Sequence, residues 1–266
     1  VQELSPFLLV ALRTLFGSLF GLLAILITRT PLPRQRSVWI ALAVLGLTNV
    51  AVPFGLVTLG EQSIDSAVAS ILNATVPLFT LIIAHFYLHD DKMNPQKVIG
   101  LLTGFAGIII LLSKDLFTSA HNSAIGQAAV ILAALFYAGS AVLTRKVAAH
   151  VQGAVRGAAP LLTATIFMWA IVPFTESPFK VPTLPITWVA ALWLGVLGSG
   201  IAMILNYYLL HEIGPTRASM VTYIFPPGGV ILGVIFLNEQ LSWQLFAGAV
   251  LIIASLAVVN WKPKNS

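Results

Sequence analysis

Polar residues in this chain fall in short clusters, and between them run long apolar stretches with no period-2 or period-3.6 alternation. Nine such runs can be read, near Phe7–Thr28, Val38–Leu59, Ala67–Leu88, Val98–Leu112, Ile125–Leu143, Ala158–Phe174, Trp188–Leu209, Ala218–Leu237 and Trp243–Val259. A helix that crosses a bilayer needs about 20 mostly apolar residues, so each run predicts a transmembrane helix. Each is bounded by a polar or proline-bearing connection, such as Arg29 to Arg36. Nine such helices in a soluble fold would leave almost no amphipathic face for water. The predicted class is an all-α integral membrane protein.

Composition narrows the function. Of 266 residues, 58% are hydrophobic and 9% charged, against roughly 25% charged in an ordinary soluble chain. A disordered chain, a soluble enzyme and a nucleic-acid binder are excluded. With no cysteine, there is no disulfide framework, thiol nucleophile or cysteine zinc site. The net charge of +5 has a membrane explanation. Numbering the connections alternately puts Arg29, Arg34, Arg36, Lys92, Lys97, Arg145, Lys146, Arg156, Arg217, Lys262 and Lys264 on one side, and Lys114 and Lys180 on the other. The positive-inside rule makes the first side, and the C-terminus, cytoplasmic. The expected location is the cell inner (plasma) membrane. Glu3 to Pro6 reads as an inter-helix turn, and the expectation is one further helix upstream of Val1.

The chain also repeats itself. A shift of 149 residues superposes Ala69 on Ala218, Ser70 on Ser219 and Pro77 on Pro226. A shift of 148 then superposes Asp91 on Glu239, Gln96 on Gln244 and Gly100 on Gly248. The matched spans run in opposite directions through the membrane, so the repeat is predicted to be inverted, a hallmark of secondary transporters. The predicted halves are residues 1–117, with four helices, and 118–266, with five, which is a 5+5 bundle short of its first helix.

On these residues the chain resembles the drug/metabolite transporter superfamily, EamA type. The resemblance rests on Ala69, Pro77, Asp90/Asp91, Gln96 and Gly100, and on Ala218, Pro226, Glu239, Gln244 and Gly248. Pro6 with Arg13 resembles the family's opening of its second helix, and Gly126 with Thr144-Arg145-Lys146 the bounds of its sixth. Copy one departs in carrying Asp for the usual Glu. The resemblance implies ten helices, alternating access, and export or uptake of small metabolites such as amino acids.

Polar groups inside a membrane must be paired, buried or face a wet cavity. Arg13 is the one charge well inside a run, roughly 10 Å deep at 1.5 Å per residue. It either meets a solute carboxylate or gate, or reaches the outer interface or ties helix ends through backbone carbonyls. Asn49, Asn73 and Thr75 lie beside the expected helix breaks at Pro53, Pro77 and Pro226-Pro227, where a proline frees a carbonyl. Phe54, Tyr137, Ser140, Trp169, Asn206, Tyr207 and Tyr223 complete a set suited to a semi-apolar solute. The alternative for all of these is packing or a helix–helix hydrogen bond. Trp39, Trp188, Trp243, Trp261 and Tyr208 read as interfacial anchors, and Gly100, Gly104, Gly107, Gly195 and Gly198 as close-packing positions. No acid sits at mid-run, where ion relays keep one, so the pattern leans to facilitated diffusion or exchange. There is no P-loop and no metal-binding motif, and no cofactor is implied. The expected partners are a small-molecule solute and the lipid bilayer, with no nucleic acid, as a monomer or homodimer. Two other classes remain: a multipass membrane enzyme built on His85, His89, Asp90 and Asp91, and a non-transporting membrane subunit.

Overall fold

The computed structural model describes residues 4–116, 123–147, 151, 153–175, 182–228 and 243–261. The elements are α1 (Pro6–Thr28), α2 (Arg36–Gly46), α3 (Val52–Glu61), α4 (Ser66–Asn73), α5 (Val76–Tyr87), α6 (Pro95–Leu116), α7 (Ala124–Val147), α8 (Gly153–Thr175), α9 (Pro185–Gly195), α10 (Ala202–Glu212), α11 (Pro215–Ser219) and α12 (Trp243–Asn260). Among the described residues, eight helical stretches are long and apolar enough to cross a membrane. They correspond to eight of the nine apolar runs. The ninth, Ala218–Leu237, lies partly outside the described residues.

Helix starts follow local chemistry. Ser5 Oγ accepts the Leu8 amide at 3.2 Å and Pro6 opens α1, where its missing N–H costs nothing. Asn94 Oδ1 accepts the Lys97 amide at 2.8 Å at the start of α6. Gly214, at φ +83°, turns the chain into Pro215 and α11.

The chain divides into two compact units, Val1–Leu59 with Leu143–Glu212, and Gly60–Val142 with Ile213–Ser266. Each takes helices from both halves of the sequence. In the first, α1 packs along α8 and α9. Small residues permit the approach: a Cβ on Gly21 would lie 2.6 Å from the Ala158 Cβ, and one on Gly46 2.4 Å from the Pro160 carbonyl oxygen. A Cβ on Gly195 would meet the Phe16 Cβ at 2.4 Å and the Arg13 carbonyl at 3.0 Å. Around these crossings Leu12, Leu45, Val50, Leu161, Met168 and Tyr207 form the core.

In the second unit α6 crosses α12. A Cβ on Gly107 would sit 3.0 Å from the Gly248 carbonyl, and one on Gly248 2.6 Å from the Gly107 carbonyl. Gly100 and Gly104 face Val259 and Tyr223 as closely, whereas a Cβ on Gly198, in the first unit, would make only ordinary contacts, 3.9 Å from Arg13 Nη2 and from Leu194 Cδ2. Leu81, Leu101, Ile108, Met220, Tyr223 and Ile252 fill this core.

Several local devices recur at one spacing. α1 and α8 each have 23 residues and start 147 apart, and α2 and α9 each have 11 and start 149 apart. α2 and α9 each run into a π-helical turn, Leu47–Ala51 and Val196–Ile201. Trp39 Nε1 donates to the Pro33 carbonyl at 2.9 Å, and Trp188 Nε1 to the Pro182 carbonyl at 3.1 Å. Thr165 donates to Ser18, its counterpart 147 residues earlier, at 3.3 Å. Pro53 cannot bond the Asn49 carbonyl, which suits a π turn at that point. Ala202, 149 residues beyond Pro53, follows the second turn, so proline is not required for it.

Candidate solute-binding residues

Within the first unit, Arg13 projects from α1 onto the second π turn. Its Nε donates to Ser199 Oγ at 3.0 Å and its Nη2 to the Gly198 carbonyl at 3.3 Å. The guanidinium lies 4.5 Å from the Phe54 ring centroid, a cation–π distance. One of these bonds ties α1 to a backbone carbonyl of the second π turn, and Phe54 is a further partner. A π turn leaves carbonyls outside the ordinary ladder and recurs at functional positions, and Arg13 satisfies one of them.

Asn49, in the first π turn, is buried and its Nδ2 donates to the Tyr207 hydroxyl at 3.1 Å. Tyr207 is fully buried on α10 and its hydroxyl also meets Thr144. This is a buried hydrogen bond between the first π turn and α10. Pro53 is buried behind it. Trp169 packs on the same core as Phe54, and its indole N–H is buried without a partner. Asn206 is half-buried on α10, one residue from Tyr207.

The second unit holds the other candidates. The apolar run Ala67–Leu88 is interrupted at Ala74–Thr75, between α4 and α5, and Pro77 follows in the first turn of α5. Thr75 Oγ1 closes the break by donating to the Leu72 carbonyl at 2.6 Å. The adjacent Asn73 Oδ1 is buried with no partner. Tyr223 is fully buried, and its hydroxyl donates to the Leu101 carbonyl at 3.1 Å. The irregular stretch near Pro226 and Pro227 precedes them: Met220–Ile224 is a 3-10 turn, and residues 225–228 are helical with both prolines buried. Prolines suit the first turn of a helix, where an amide has no partner to lose. Tyr137 and Ser140 lie on α7, half-buried and buried. Gly229, Asn238 and Glu239 lie outside the described residues.

Sequence reasoning missed one polar network. Asp91, assigned to a connection, is buried. Its Oδ1 pairs with the buried Lys97 ammonium, and its Oδ2 accepts the Thr216 amide at 2.9 Å, capping α11. The signal available was the match of Asp91 with Glu239, which marks a repeated acid at a helix-start position. Arg156, also assigned to a connection, lies buried in the first turn of α8, with Nε donating to the Val151 carbonyl at 2.7 Å. The His85 cluster is taken up by its own turn: Nδ1 accepts the Met93 amide at 3.2 Å, and Lys92 donates to the His85 carbonyl at 2.7 Å. No group of three metal-ligating side chains occurs among the described residues.

Apolar helices of spanning length, joined by short turns and packed through glycine crossings, define a multi-pass helical membrane protein. The chain belongs to the EamA-like transporter family, which it matches over residues 1–113 and 124–261. It is similar to the uncharacterized transporter YoaV of Bacillus subtilis, at 26% identity over 96% of this chain and 87% of that one. It is also similar to the uncharacterized inner membrane transporter YedA of Escherichia coli K12, at 29% identity over 91% and 77%. A solved crystal structure shares the fold, with a TM-score of 0.83 at 23% identity over 96% of this chain and 89% of that one.

Proposed function

We propose that this membrane transporter is a secondary carrier, an exporter or facilitator of small organic solutes such as amino acids. It works by alternating access across the inner membrane with its C-terminus in the cytoplasm. The observation that carries this reading is the single 147–149-residue spacing, at which helix lengths, π turns and tryptophan locks recur. Together with the charge asymmetry it supports an inverted repeat of halves 1–117 and 118–266, the design that secondary transporters use to expose one site to either side in turn. The family match in two stretches supports the same division.

The solute-contacting candidates in the first unit are Arg13, Phe54, Trp169 and Asn206, and in the second Asn73, Thr75 and Tyr137. Asn73 Oδ1 and Trp169 Nε1 are buried groups that a polar solute would satisfy. Asn49, Tyr207, Ser140 and Tyr223 sit deeper and hold the helices that carry these groups.

The test is counterflow in liposomes with purified protein, screened over amino acids and other small metabolites. Saturable exchange of at least one solute is expected. Folded protein with no saturable flux for any of them would overturn the proposal. Single introduced cysteines, in a chain that has none, report the orientation.

A further inference from the structure

We infer that the turn between α1 and α2 is a binding site for an anionic phospholipid, with Arg29, Arg34 and Arg36 holding the phosphate and the neighbouring apolar helix surface holding the acyl chains. Three observations converge on this turn. The first is charge without a partner. All three arginines are exposed, and none of their guanidinium groups has a hydrogen bond or ion pair among the described residues. Four cations elsewhere are engaged: Arg145 with the His211 carbonyl, Arg156 with Val151, Lys92 with His85 and Lys97 with Asp91. No acid stands between Glu3 and Glu61 in the sequence.

The second observation is backbone strain. Arg29 sits at φ 49° and ψ 35° as the C-cap of α1, the one non-glycine residue with positive φ among the described residues. Glycine or asparagine takes that conformation at little cost, and an arginine does not. A rule asking only for net positive charge on one side would be met by an arginine elsewhere in the turn.

The third observation is a built-in comparison. Trp39 locks this turn through the Pro33 carbonyl, and Trp188 locks its counterpart through Pro182 in the same way. The positions 149 residues beyond Arg34 and Arg36 are Thr183 and Pro185. The lock forms without arginines, so they are not there to fold the turn. Beside it, Leu26 is 74% exposed, Ile27 72% and Ile40 56%. An apolar surface next to unpaired guanidinium groups is complementary to a lipid, with its tails along the helices and its phosphate at the turn. Arginine's planar donor fork suits phosphate oxygens. Nothing in this inference depends on what the protein carries.

The experiment uses purified protein in neutral detergent, read by thermal unfolding and native mass spectrometry. The additions are phosphatidylglycerol, phosphatidylcholine or glycerol 3-phosphate. Phosphatidylglycerol is expected to raise Tm and remain bound, and the other two are not. Replacing all three arginines by glutamine is expected to weaken retention roughly fivefold per arginine, at about 1 kcal/mol each. Arg29→Gly separates charge from fold. It relieves the strained backbone, so it raises Tm in neutral detergent, yet it lowers the gain that phosphatidylglycerol brings. Equal protection by phosphatidylcholine, protection by glycerol 3-phosphate alone, or an undiminished phosphatidylglycerol gain in Arg29→Gly would each overturn the inference. If the triple variant does not fold, Arg29→Gly and Arg36→Gln alone decide it.

Discussion

Gly46→Ala adds one methyl group at the tightest crossing of α2 and α8. The new Cβ would lie 2.4 Å from the Pro160 carbonyl oxygen and 2.8 Å from the Thr163 Cβ. Real Cβ contacts stay above 3.0 Å, so α8 must retreat by at least 0.6 Å or α2 must tilt. The nearest obstacle is backbone, which cannot swing aside as a side-chain end would. Overpacking of this kind costs about 1–3 kcal/mol, and the better helix propensity of alanine returns about 1 kcal/mol. The expected net loss is about 0–2 kcal/mol, and nearer 2 because the blocking atom is backbone. Gly139→Ala is the control, since nothing lies within 4 Å of its new Cβ; it should gain up to about 1 kcal/mol from propensity alone. A kcal/mol shifts Tm by about 2–4 °C in a chain of this size. The two variants should therefore move in opposite directions and separate by about 5 °C in detergent, measured by fluorescence-detected unfolding. A Tm for Gly46→Ala equal to or above that of Gly139→Ala would refute the claim that glycine permits the crossing.

Two further predictions concern buried polar pairs. Tyr207→Phe removes the hydroxyl that meets Asn49 and Thr144 and should cost about 1–2 kcal/mol of unfolding free energy, the range for stranding a buried polar group inside a membrane protein. Adding Asn49→Val should recover most of that loss in a double-mutant cycle. Asp91→Asn leaves Lys97 buried opposite a neutral group and weakens the cap on α11; about 3–5 kcal/mol is expected from breaking a buried pair. Lys97→Met in the Asp91→Asn background should restore a large part, and additive losses in the double variant would show that the two do not act as a pair.

The parts of the protein differ in how far sequence reached them. Eight helices were legible because a bilayer imposes one length on every crossing, and a run of apolar residues records that length directly. The repeated positions were legible because Ala69, Pro77 and Gly100 stand in the same order as Ala218, Pro226 and Gly248. The interruption near Pro77 was legible because a missing amide is a property of the residue itself. Arg13 could be singled out by its depth, but its two possible roles could not be separated. Its partners Ser199 and Gly198 lie more than 180 residues away and become neighbours only when α1 packs on the second π turn. Asp91 was placed with the connections because its neighbours in sequence are polar, and its burial against Lys97 and Thr216 depends on α11 folding back over it.

The sequence by itself determined that the chain crosses a membrane many times, where most crossings lie, and which positions repeat. Hydrophobicity and proline chemistry are local, and the bilayer reads them one segment at a time. Only the tertiary structure decided which helices share a compact unit, where the π turns fall, which carbonyl Arg13 satisfies, and that Asn49 is spent on Tyr207. Those outcomes depend on close packing between segments far apart in the chain. Inside a membrane, packing is governed by which small residues let two backbones approach and which polar groups find each other.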